Sequence, residues 1–530
     1  MKVSTRVVLS LAVIAVGALA GAVAGPAAHG KGDADAFLKR YSEVLRVLQD
    51  KGPREIETSQ VVYSSLNGML DLLDPHTNFL PPSTYASMRE RQQGSFHGVG
   101  VQISMRGGRV TIITPIEGTP AARMGLRAGD IIDAVDGVST EGMDLDEAAR
   151  RLRGPEGSTV RITIIRPGLA RPLEVSLQRG RVPTDSVRYA FLIDPATAYI
   201  RISDFTRTTG VEVSKALDRL VAEGATRLLL DLRDNPGGIV DSAVQVSGML
   251  VEPGQLVFST KGRTADSFQD YRASRDGLHF AGPVVVLVNR GSASAAEIVA
   301  GCIQDHDRGL VVGETTFGKG VVQTIYPLRD SALALTTAKY YTPSGRCIQR
   351  DFDSFFAYVN PDSNSEGSTA MPGGDGPAYF TDSGRKVYGG GGIAPDVQAS
   401  AGMYAERVAR LVSQAAFFHF AVGYLVDQPD KAAAARAFLV TPEVWQRFRD
   451  RVLAEKWLSA AELDAALADE NERRDIEVNI QAEILNAGLS LADGYRVLQR
   501  VDNQVQEALR RFDEAKTLAE AARGARSARR

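Results

Sequence analysis

The small-residue run Gly291-Ser292-Ala293-Ser294-Ala295-Ala296-Glu297 follows an apolar stretch, Val284 to Val288, and leads into a helical pattern. A serine at such a strand-to-helix turn presents its hydroxyl, while the unpaired N–H groups of the first helical turn point at whatever it attacks. That pairing suits acyl transfer through a covalent serine intermediate with an oxyanion hole. Taken locally, the same residues equally suit a capped helix, with Ser292 or Ser294 as the cap and Glu297 as capping-box partner. Serine caps are far commoner than serine nucleophiles.

A nucleophile needs a base. Gly313-Glu314-Thr315-Thr316-Phe317-Gly318-Lys319-Gly320 nearly matches a phosphate-binding loop, but Gly320 offers no hydroxyl for a metal ion. The residues after it, Val321 to Tyr326, read as a strand where a phosphate loop needs a helix. On such a strand Lys319, Val321 and Gln323 share one face. The bland reading of Lys319 is a solvated surface lysine. The six histidines (His29, His76, His97, His279, His306 and His419) lie outside any recognisable serine-protease motif. Lysine can replace histidine when desolvation and the positive end of a helix lower its pKa, and Gln323 can hold the uncharged amine.

The elements that would position these residues span several domains, as a chain of 530 residues requires. Lys2 and Arg6 precede an apolar run from Val7 to about Ala24, with Ala22-Val23-Ala24 as a cleavage pattern: a secretory signal over residues 1–24, long enough also to serve as an anchor. Residues 33–95 read as a helical module. Residues 96–168 form short alternating strands punctuated by glycine, with one helix from Leu145 to Leu152. Residues 180–400 alternate strands and helices around an α/β core with largely parallel, buried strands, interrupted near 360–392 by a Gly-rich insertion. Residues 401–530 are charged and helix-forming. The fold class is therefore α+β and multidomain. With 44% hydrophobic and 24% charged residues and a net charge of -3, nothing favours nucleic acid. Cys302 and Cys347 imply neither a disulfide framework nor a metal site, a single bridge between them staying open, and the sequence offers no support for a metal, nucleotide or haem site, so no cofactor is expected.

Six stretches occur in order: Leu73-Asp74-Pro75-His76-Thr77, Leu230-Asp231-Leu232-Arg233-Asp234-Asn235-Pro236-Gly237-Gly238, Gly291 to Ile298, Phe317 to Gly320 with Gln323, Tyr341 to Arg346, and Gly392 to Val397. Together they resemble the C-terminal processing peptidases, or tail-specific proteases, from about Asp71 to Val397. The resemblance implies a nucleophile at Ser294, a general base at Lys319 and a supporting Gln323. It implies oxyanion donors at Gly237, Gly238 and Ala295, leaving Ser292 structural. Asp234 stands where Asn is common in the family, and Ala296 where Ser is common. Residues 96–168 resemble a PDZ domain, whose carboxylate-binding loop would be Gly98-Val99-Gly100-Val101, with Ile103 along the strand. Arg153 would relay substrate arrival to the active site.

The expected activity is thus a serine endopeptidase acting on protein or peptide substrates with accessible C-terminal tails, exported and periplasmic or otherwise extracytoplasmic. Two other classes compete: a catalytically silent PDZ adaptor on a protease-like core, and an acyl-CoA-type enzyme, since the core pattern is similar to crotonase-like folds. An adaptor that delivers targets, a homodimer through the C-terminal helices, and retention of the N-terminal anchor stay open.

Overall fold

The computed structural model describes residues 29–167, 169, 171–274, 280–350 and 377–529. The signal segment 1–24 and residues 360–376 of the Gly-rich stretch lie outside the described residues. The chain forms two units, residues 1–81 with 326–334, and residues 82–325 with 335–530. In the first, helices His29–Lys51 and Thr58–Leu70 precede the strand Asn78–Leu80, which pairs antiparallel with residues 332–334. Asn67 Oδ1 accepts from the Phe79 N–H at 2.8 Å, and Asp74 caps the turn through the N–H groups of His76 and Thr77. The helix Pro82–Gln93, expected in the N-terminal module, belongs to the second unit.

In the second unit, the β-rich domain is an antiparallel sheet ordered Val101–Arg106, Arg109–Pro115, Ile131–Val135, Thr159–Ile165, Leu173–Gln178. Strand alternation builds its core. Val160, Ile162 and Ile164 are fully buried against Val110, Ile112 and Ile132, while their strand neighbours face outward. The last strand carries this domain about ten residues past the boundary read at 168, because Leu173–Gln178 pairs with residues 159–164 of the strand Thr159–Ile165. Val101–Arg106 is an edge strand and faces the helix Leu145–Leu152, which Asp144 caps by accepting from the Glu147 N–H.

The core sheet runs Val187–Asp194, Thr197–Ile202, Arg227–Asp231, Val284–Val288, Leu310–Gly313, Val397–Gln398, parallel from the second strand onward. Both faces are covered, which is why Val284–Val288 is apolar at every position. Val284, Val286 and Val288 join one hydrophobic cluster with residues of the helices Thr209–Ala222, Val240–Gly248 and Ala295–Asp305. Val285 and Leu287 join the opposite cluster with Val505, Ala508, Phe512 and Ala515. At roughly 1.5–3 kcal/mol for each large side chain fully buried, this strand anchors the molecule.

Those last four residues belong to Asn503–Arg510 and Phe512–Arg529, so the apolar faces of these two C-terminal helices are occupied by the chain's own sheet. Earlier helices of the extension, from Glu406–Ser413 to Glu470–Gly488, gather around Phe417, Phe420, Phe448, Ile480 and Ile484.

Candidate active site

Ser294 is the N-cap of the helix Ala295–Asp305, so the cap reading and the nucleophile reading describe the same residue. Its backbone, at φ 55° and ψ -113°, lies where non-glycine residues are strained by about 1–3 kcal/mol. Ser292 is fully buried, its hydroxyl donating to Leu232 O at 2.8 Å and accepting from the Asn289 N–H, whereas Ser294 is half-buried. Of the two serines, only Ser294 has a side chain that solvent or a substrate can reach.

Glu297 does more than cap. This fully buried carboxylate accepts from the Ser294 N–H at 2.8 Å and the Lys319 N–H at 2.9 Å, both on Oε2. Its other oxygen takes the Thr316 hydroxyl at 2.5 Å and the Gly318 N–H at 2.7 Å. Two segments 25 positions apart in sequence are thereby held within hydrogen-bond distance of one oxygen atom. Burial pushes the Glu297 carboxyl up from its ordinary range, against the pull of these four donors. Sequence reasoning gave Glu297 only its capping role. The available signal was a lone charge inside the otherwise apolar helix Ala295-Ala296-Glu297-Ile298-Val299. Glu297→Ala should strand four donors, each worth about 1–3 kcal/mol when buried and unpaired. Loss of at least about 3 kcal/mol is expected in urea unfolding, and an unchanged midpoint would refute this account.

Lys319 lies in the extended lead-in to the strand Val321–Leu328 rather than within it. The same-face expectation holds: Lys319 Nζ donates to Gln323 Oε1 at 2.8 Å. The segment is pinned from both sides, by Phe317 N–H to Ser292 O at 2.9 Å and by Gly320 N–H to Gln349 Oε1 at 2.8 Å. Tyr340 closes the arrangement, its hydroxyl donating to Ser294 O at 3.2 Å.

The third segment is the turn after Arg227–Asp231. Gly237 adopts φ +100°, and a Cβ there would lie 2.7 Å from Ser294 Cβ and 2.9 Å from Ala295 N, so only glycine lets the turn lie against the serine. The structure thus brings Gly237, Ser294 and Ala295 together. One expected donor is otherwise engaged, however: the Gly237 N–H is given to Asn235 Oδ1 at 2.8 Å. Asn235 is fully buried, donates to Ile202 O at 2.9 Å and accepts the Ala293 N–H on its own carbonyl at 2.8 Å. Gly237 O and the Ile239 N–H pair with Phe205, which leaves the Gly238 N–H outside the turn's internal bonds. Asn235, like Glu297, is a buried organiser that the motif alone did not single out.

Gly98, Val99, Gly100, Val101 and Ile103 line a cavity of about 550 Å³ together with Arg153. Gly100, at φ +81°, sits so close to Thr119 that a Cβ would fall 2.2 Å from its Cβ, and Thr119 donates to Gly100 O. Val99 is buried in the domain core, whereas Val101 and Ile103 are half-buried along the edge strand. Arg153 lies over the Phe96 ring at 4.4 Å. Leu491 and Ala492, from the C-terminal extension, form part of the same wall.

Residues 196–364 match Peptidase family S41, and residues 111–166 match the PDZ domain. The carboxy-terminal-processing protease of Bartonella bacilliformis is 37% identical over 317 residues, 59% of this chain and 72% of that protein. The carboxyl-terminal-processing protease of Picosynechococcus sp. is 37% identical over 297 residues, 55% of this chain and 71% of its own length. The carboxy-terminal processing protease CtpA of Bacillus subtilis is 32% identical over 326 residues, covering 61% and 68%. A PDZ domain joined to such a core defines a serine-type peptidase with a peptide-binding module. The chain belongs to peptidase family S41, the carboxy-terminal-processing proteases.

Proposed function

We propose that this peptidase is an endopeptidase that takes exported proteins by their C-terminal tails and cleaves them through an acyl-enzyme on Ser294. The observation that carries the reading is the shared Glu297 oxygen beneath Ser294 and Lys319, with Lys319 Nζ held on Gln323. Ser294 Oγ attacks the scissile carbonyl carbon while its proton passes to the neutral Lys319 amine. The carbonyl electron pair moves onto oxygen, where the N–H groups of Ala295 and Gly238 receive it; Gly237 would join them only by leaving Asn235. The Lys319 ammonium then protonates the departing amine. Water activated by the regenerated amine attacks the ester, releasing the new C-terminus and restoring Ser294.

The tail would enter the cavity beside Val101–Arg106, adding a strand to that edge with its carboxylate on the Gly98 to Val101 loop. Arg153 would pass its arrival onward. The basic and apolar N-terminus supports export, and no step calls for a metal or cofactor.

The test is to mix the full chain with an unstructured tail-bearing protein, quench in acid during turnover, and map adducts by mass spectrometry. An acyl adduct on Ser294 with internal cleavage products is expected. Binding of the tail without cleavage or adduct would favour the silent-adaptor reading, and an adduct on another residue would overturn the assignment.

A further inference from the structure

The turn that carries Gly237 and Gly238 is joined by side chains to a part of the chain far away in sequence. Arg233, four residues before Gly237, is nearly buried and has a carboxylate on each side. Asp231 takes its Nη2 at 2.6 Å, while Asp502 takes its Nη1 at 2.8 and 3.1 Å; Gln504 Oε1 accepts from the same Nη1 at 2.9 Å. Arg201 repeats the pattern. Its guanidinium donates to the Tyr495 hydroxyl, to Arg233 O at 3.4 Å and to Asp234 Oδ2 at 3.3 Å. Tyr495 is itself fixed by stacking on Tyr189, with ring centroids 3.9 Å apart and planes within 9°. Tyr199 completes the set by donating to Asp231 Oδ2 at 2.5 Å.

Two guanidinium groups therefore meet three carboxylates, those of Asp231, Asp234 and Asp502, and the last of these, with Tyr495 and Gln504, comes from the C-terminal extension. Burial opposes the charge of Asp231, yet the Arg233 guanidinium keeps its carboxyl below the ordinary range. Without the Asp502 carboxylate the nearly buried Arg233 Nη1 would keep only Gln504 Oε1 as a partner, and Arg233 would have to turn toward solvent or further onto Asp231. Its backbone runs directly into Asp234 and Asn235, which position the turn. Oxyanion donors act only within a few tenths of an ångström of their proper distance, so such a shift weakens the chemical step more than substrate binding.

We propose that Asp502, Gln504 and Tyr495 are positioning residues for peptide cleavage: the C-terminal extension braces the catalytic turn through Arg233 and Arg201. This rests on the Ser294 reading above. It assigns the extension a part in turnover, alongside its part in covering the sheet.

The full chain carrying Asp502→Asn tests it. Asn caps a helix as well as Asp, so the bond from the Val505 N–H that starts Asn503–Arg510 is retained while the charge on Arg233 is lost. For a short fluorogenic peptide, kcat should fall about tenfold with KM within about twofold of wild type, the split that marks lost transition-state stabilisation. Asp502→Glu should recover part of that loss. Tyr495→Phe, which keeps the stacking and loses the hydroxyl, should lower kcat in the same direction. A wild-type kcat in Asp502→Asn overturns the proposal, and so does a loss confined to KM. If Asp502→Asn unfolds at the assay temperature, Tyr495→Phe with wild-type kcat overturns it instead. Should wild-type protein show no Ser294-dependent cleavage, the functional reading fails on its own. The brace is then read from amide exchange at residues 233–238, which Asp502→Asn should speed about tenfold and which unchanged exchange would refute.

Discussion

Ser294→Ala is expected to lower kcat on an unstructured tail-bearing protein by at least about 10³-fold, because removing the proposed nucleophile leaves only what the oxyanion donors and binding supply. The fold should tolerate the change. The bond that ties this position to the Lys319 segment runs from the Ser294 N–H to Glu297, and an alanine keeps that N–H. Loss of a serine side chain at an N-cap costs about 1 kcal/mol at most positions, so the melting temperature should move by only a few degrees. Tail-peptide affinity should stay unchanged, since the cavity of the PDZ domain is lined by other residues. Cleavage persisting at the wild-type rate would remove Ser294 from the mechanism, whereas Ser292→Ala should act through folding, because its hydroxyl bonds Leu232 O inside the protein.

Lys319→Met should lower kcat nearly as far, by about 10²–10⁴-fold, the usual contribution of a general base. Methionine keeps an unbranched stem between Gly318 and Gly320 and removes only the amine, so a loss of activity with an unchanged unfolding curve isolates the proton transfer. The pH dependence gives an independent reading. With Lys319 as the proposed base, only its neutral amine can accept the Ser294 proton, so kcat/KM of the wild type should rise with pH and then level off. In Lys319→Met that limb should vanish. A variant retaining both the wild-type rate and the wild-type pH profile would assign the base elsewhere.

Much of this arrangement could be read from local patterns. The strand Val284–Val288, the turn at Ser294 and the period-two relation of Lys319 to Gln323 depend on residues close in sequence, where backbone geometry dictates who faces whom. What stayed hidden depends on partners far away. Glu297 looks like an ordinary capping residue until the Gly318-Lys319 segment folds over it, and no spacing rule reveals that a side chain serves two loops at once. The donation of the Gly237 N–H to Asn235 was equally invisible, since the glycine pair predicts a flexible turn without saying which N–H is engaged. Asp502 lies 269 positions after Arg233, and a charged residue among charged helices carries no mark of its partner. Residues 326–334 lie within the stretch read as core, yet they group with the N-terminal segment, since Asn78–Leu80 pairs with residues 332–334.

Among the described residues the sheet order leaves one side of Val101–Arg106 without a strand partner, beside a cavity large enough for several residues of extended peptide. Backbone amides are the same in every protein, so a ladder offered at such an edge is nearly indifferent to sequence, and under the proposed reading it is the carboxylate on the Gly98 to Val101 loop that would tell a chain end from the middle of a chain. Selection at this edge would then be by topology more than by composition. On the proposed reading, a damaged, unfolded or immature protein would qualify by having a loose end, and a well-folded neighbour with its terminus tucked away would be passed over.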